Sequence, residues 1–168
     1  MKQRGLPVII LHPTVCLGRG ERGNTPFGNF LLRYLRNKVK FYLDTGFNLV
    51  DAGDVAKAHL LASKRGEVGR RYILGNQNVY LLEVLRQLEK FTQIPLPKYA
   101  LPVDMAKIGN SFARLLPRAK DGTANQVLER LRRPLFFDST LAVKELGMPQ
   151  SNVWDALRRE VQNLKKII

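Results

Sequence analysis

Cysteine is almost missing from this chain. Cys16 stands alone in 168 residues, so no disulfide can close within the chain and no all-cysteine zinc site can be built. His12 and His59 are the only histidines, and no metal site is expected from so small a ligand set. Long apolar runs are missing too. The longest, residues 6–11, is six residues and contains Pro7, against the roughly 18–20 needed to cross a bilayer. It is also too short for the core of a secretory leader, and no small-residue cleavage site follows it. The cytoplasm is therefore the expected compartment. Acidic residues are few, 14 against 28 Lys plus Arg, which leaves a net charge of +14. Internal repeats and low-complexity tracts are absent.

What is present describes a globular protein: 45% hydrophobic and 25% charged residues. A chain of this length fits one domain and buries about 70% of its unfolded surface, which excludes wholesale disorder. The positive charge attracts polyanions or phosphorylated ligands in general terms. Its distribution is uneven, with five basic residues and no acid over 22–43, and four with no acid over 105–120. No basic run exceeds a pair, and the pattern reads mainly as solvated faces.

Residues 6–11, LPVIIL, are apolar without alternation, as in a parallel strand buried on both faces. Gly18, Gly20 and Gly23 mark a loop, and a helix is predicted near 27–36. Short strands are expected at 40–44 and 48–50. Asp54 is the expected N-cap of a helix to about residue 64, closed by Gly66. A strand at 71–74 ends at Gly75. Leu81, Val84, Leu85 and Leu88 form a helical stripe. Beyond Pro95 and Pro97, residues 98–101 are expected to be extended. Helices are expected from Asp104 to about 115 and from Thr123 to 131, with a linker at 117–122 between them. A strand at 134–138 and helices at 139–146 and 154–164 complete the order. A two-face-buried strand so early in the sequence wants neighbours that the rest scarcely supplies, so the chain reads as though its first half is missing.

These blocks carry a resemblance. Residues 5–18 (GLPVIILHPTVCLG), 42–56 (YLDTGFNLVDAGDVA), 59–62 (HLLA), 71–75 (RYILG), 78–83 (NVYLLE) and 136–147 (FFDSTLAVKELG) follow one another at family-like spacing. Together they resemble the C-terminal half of an extended short-chain dehydrogenase/reductase, of the NAD-dependent epimerase/dehydratase type. The likeness is greatest to hopanoid-associated sugar epimerases, with dihydroflavonol reductase-like proteins next. It is fullest over 5–91, continues at 134–147, and is weakest between.

The resemblance implies an α/β fold. It would be the C-terminal part of a Rossmann-like doubly wound fold with a small mixed α/β substrate-binding region, the N-terminal nucleotide-binding half being absent. Residues 1–95 would carry the late Rossmann strands and a substrate loop, and 96–168 a mainly helical substrate-binding region, in one folding unit. It implies NAD or NADP as cofactor, with Pro13 and Thr14 approaching the nicotinamide, and weak binding by this chain alone. Residues 15–27 and 119–133 would line the substrate cleft. Phe47 stands where nucleotide-sugar members often place an arginine, which argues against a nucleoside-diphosphate sugar. Tyr80 replaces a usual Ser/Thr helix cap, at a cost of about 1 kcal/mol if nothing compensates.

The family's catalytic parts are not found where they belong. Gly18, Gly20 and Gly23 have the wrong spacing and context for a pyrophosphate loop. Tyr34 and Lys38 match Tyr-x-x-x-Lys, but they follow the late strand where the family's pair precedes it, so they read as an exposed helix end. No catalytic residue is assigned. His12 is expected to be packed and hydrogen-bonded, His59 structural, and Cys16 a small buried side chain. Two functions remain open. One is a truncated or split NAD(P)-dependent sugar epimerase/reductase-like protein, inactive alone, with a separate Rossmann half as partner and a small-molecule substrate. The other is a non-catalytic basic protein binding an anionic partner. No nucleic-acid motif is present.

Overall fold

The structure is a computed structural model that describes residues 6–18, 20, 25–101 and 133–168. These fall into two compact units interleaved along the chain. The first unit takes its residues from Met1–Leu32, Asn48–Asn78 and Phe137–Ile168, and the second from Arg33–Phe47 and Val79–Phe136. The helices expected from Asp104 and Thr123, the linker between them, the cleft segment 119–132 and Gly23 lie outside the described residues.

The first unit is built on parallel strand pairs. β1 (Ile10–Pro13) pairs with β5 (Arg71–Leu74), Ile10 opposite Arg71 and Pro13 opposite Leu74. β2 (Val15–Leu17) pairs with β4 (Gly46–Asp51), Val15 opposite Leu49 and Leu17 opposite Asp51. β6 (Gln77–Tyr80) lies on the other side of β4. Parallel strands need crossovers, and α2 (Ala52–Arg65) provides one between β4 and β5. Val55, Ala58 and Ala62 bring its buried stripe onto Val50, Tyr72 and Leu74, and Ala142, Leu146 and Met148 complete that core. Ala142–Leu146 is a short π-helical segment that stops at Gly147, where φ is +73°. The last helix, α4 (Val153–Leu164), is capped by Asn152, which accepts the Trp154 N–H at 2.8 Å.

In the second unit β3 (Phe41–Leu43) pairs in parallel with β7 (Tyr99–Leu101). α3 (Leu81–Thr92) buries all four residues of its predicted stripe, Leu81, Val84, Leu85 and Leu88. Tyr80 does occupy its N-cap and makes no capping bond, but the first helical N–H, that of Leu81, is taken by the Thr45 carbonyl at 2.8 Å. The helix α1 (Pro26–Leu35) passes from the first unit into the second.

Several sequence expectations need correction. The first strand is Ile10–Pro13, not 6–11, and it is not buried on both faces: Ile10 and Leu11 are half-buried, His12 and Pro13 exposed, and Leu6 is 61% exposed. Among the described residues β1 has one neighbour, so no second strand covers it. The N-cap of α2 is Asp51, which accepts the Gly53 N–H at 2.6 Å. Asp54 sits in the first turn, its carboxylate drawn away by Ser151. The predicted strand at 134–138 shrinks to a single bridge between Phe47 and Leu135. It cannot extend, because the Phe137 N–H and carbonyl are both bonded to the Asn78 side chain. Residues 15–17, read as part of a cleft loop, form β2.

Candidate functional site

The candidate site lies where the first strand changes partner. Up to Pro13 the chain runs beside β5, and from Val15 it runs beside β4. Thr14 is the residue between. Its N–H still bonds the Leu74 carbonyl at 3.1 Å, and its hydroxyl reaches Asn48 Oδ1 at 2.9 Å and the Leu74 carbonyl at 3.4 Å. Such a position, at the carboxyl ends of parallel strands where neighbours diverge, is where open α/β sheets hold ligands. Pro13 is exposed there and Thr14 half-buried.

Asn48 is the centre of the arrangement and is fully buried. Its Oδ1 accepts from the Thr14 hydroxyl and from the Asn76 N–H, each at 2.9 Å. Its Nδ2 donates to Asn78 Oδ1 at 2.8 Å and to the Phe137 carbonyl at 3.4 Å. A buried amide left without partners is costly, so four partners make this node rigid. Gly75 makes room for it: a Cβ there would collide with Asn48 Oδ1 and press Thr14 Cγ2 at 3.1 Å. Asn48 and Asn78 are quoted in the family-like blocks, but their roles were not legible, because their partners lie 28 to 89 residues away.

Three buried acids have distant partners that no local pattern indicated. Asp51 pairs with the Arg159 guanidinium. Asp54 accepts from the Ser151 N–H and hydroxyl. Glu160, 1% exposed, accepts the Gly18 N–H at 3.0 Å. That last bond bears on cofactor fit. A backbone N–H already given to a carboxylate is not free for a phosphate, so the Gly18 end of the glycine cluster does not suit a pyrophosphate. The half-buried Thr14 hydroxyl and exposed Pro13 do suit the nicotinamide end of a dinucleotide.

Tyr34 is not an exposed helix end. It is 1% exposed in the second unit, and its hydroxyl donates to the Ile94 carbonyl at 2.7 Å. Burial, with a lesser contribution from Glu89, pushes its pKa up against a lowering bond with Thr92, the wrong direction for a general base. The Tyr-Lys spacing is that of a helix stop. Lys38 N–H bonds the Arg33 carbonyl and Asn37 N–H the Tyr34 carbonyl, with Asn37 left-handed at φ +54°. Lys38 is exposed.

His12 is exposed at its strand end rather than packed, and His59 is exposed on α2 with Nδ1 2.8 Å from the Val55 carbonyl. Cys16 is exposed rather than buried, because its strand position points away from the core that its neighbour Leu17 enters. Partial burial of its sulfur, and then the charge of Glu160, raise the thiol pKa. Among the described residues no three acidic, histidine or cysteine side chains gather to hold a metal. No described helix is long and apolar enough to cross a membrane.

No family model matches the chain. It is 36% identical over 163 residues to a putative dihydroflavonol 4-reductase of Synechocystis sp., covering 92% of this chain and 47% of that protein. It is 31% identical over 176 residues to cinnamoyl-CoA reductase 1 of Arabidopsis thaliana, covering 99% of this chain and 48% of that protein. The crystal structure of gox2253 superposes with a TM-score of 0.80 at 27% identity, over 99% of this chain and 51% of that one. PA4631, a nucleoside-diphosphate-sugar epimerase from Pseudomonas aeruginosa, gives a TM-score of 0.75 at 24% identity, over 98% and 50%. UDP-glucuronic acid 4-epimerase from Bacillus cereus, in complex with UDP-glucuronic acid and NAD, gives 0.71 at 15%, over 99% and 48%. The chain thus spans about half the length of the curated relatives it matches. The fold is α/β with parallel strands, Rossmann-like, as the sequence blocks imply.

Proposed function

Because the chain belongs to the extended short-chain dehydrogenase/reductase family over the length it spans, we propose that it supplies the substrate-binding half of an NAD(P)-dependent reductase or epimerase. The observation that carries this reading is the placement of Thr14 at the strand switch, within a chain that matches a reductase over 92% of its length. Pro13 and Thr14 hold the nicotinamide end. A dinucleotide held there would supply hydride transfer to or from the substrate. The tyrosine and lysine that move the proton, and the loop that holds the pyrophosphate, come from the nucleotide-binding half, in the same or another polypeptide. Residues 1–95 contribute the late Rossmann strands and 96–168 the substrate-binding region, in the cytoplasm. A reductase is favoured over a nucleotide-sugar enzyme, since relatives 31–36% identical to this chain are named reductases and Phe47 stands where nucleotide-sugar members often place an arginine.

The test is calorimetric titration with NADH and NADPH of this chain alone and of its complex with the nucleotide-binding half. The complex should bind one of them stoichiometrically and the chain alone only weakly. Tight binding by the chain alone, or none by the complex, overturns the reading. The net charge of +14 supports the second reading, a non-catalytic protein for an anionic partner. Salt-sensitive binding of heparin by a complex that takes no dinucleotide would favour it.

A further inference from the structure

We draw no further inference here: the strongest candidate, the open apolar groove on the outer face of α2 where Lys57, Leu60 and Leu61 lie beside the turn at Gly147 and Pro149, carries nothing because nothing in the structure shows what covers it.

Discussion

Asp54 accepts two hydrogen bonds from Ser151, one from its N–H at 2.7 Å and one from its hydroxyl at 2.9 Å, across 97 residues of sequence. The carboxylate is 1% exposed, so these bonds replace its contact with water. They tie the first turn of α2 to the segment that leads into α4. Asp54→Ala should destabilise the chain by about 2–3 kcal/mol, since it orphans a backbone N–H and a hydroxyl together. Asp54→Asn should cost less, because an amide can accept the N–H and donate to the hydroxyl oxygen. Urea melts of the three proteins check the order, and equal midpoints would refute it.

Tyr34→Phe should leave turnover of the assembled enzyme unchanged while costing about 1 kcal/mol of stability through the lost bond to the Ile94 carbonyl. The raised pKa has a further consequence. Its folded value lies above its unfolded one, first through burial, so the folded state keeps the phenol proton longer. Stability contributed by the neutral phenol is full below the unfolded pKa and is lost as pH rises toward and through the folded one. Tyr34→Phe should therefore flatten the loss of stability in strong alkali, as measured by thermal melts from neutral pH upward.

Gly75→Ala tests the close approach at the strand switch. The added methyl meets Asn48 Oδ1 and Thr14 Cγ2 in a buried node that has no slack. Overpacking of this kind costs about 1–3 kcal/mol. The measurement is again a urea midpoint. A Gly53→Ala control, at an exposed helix position where the Cβ meets only Asp51 Oδ1 at 3.0 Å, should shift it less.

What the sequence disclosed and what it hid follow one physical division. The α3 stripe and the β5 strand ending at Gly75 were readable because local periodicity and a turn residue specify them. The α2 cap was placed three residues late because Asp51 and Asp54 are both good N-caps. The choice between them is made by Ser151, far away in sequence. Tyr34 looked exposed because its register is that of a helix end, while its burial is set by α3 and the chain at Ile94. Thr14 and Pro13 were singled out by likeness of motif alone. The Asn48 node that holds Thr14 depends on pairings between distant segments, which no local pattern contains.

Cys16 should react slowly with an alkylating agent although it is exposed. Partial burial of the sulfur disfavours the thiolate first, and the Glu160 carboxylate adds to it. Iodoacetamide labelling near pH 8 should lag behind that of a small free thiol. Glu160→Gln, which can still accept the Gly18 N–H, should speed it up. Labelling as fast as the free thiol, or no response to Glu160→Gln, would contradict this electrostatic account.

The chain alone should associate in a salt-dependent way. β1 pairs on one side only among the described residues, and Leu6 near it is 61% exposed. An open strand edge with apolar neighbours favours pairing between chains. The net charge of +14 opposes that approach at long range. The repulsion acts over about 30 Å at 0.01 M salt and about 3 Å at 1 M, so raising salt removes the barrier and leaves the edge. Sedimentation velocity should show monomer at low ionic strength and larger species at high. A chain that stays monomeric at every salt concentration, with a sharp thermal transition, would show that β1 needs no second neighbour.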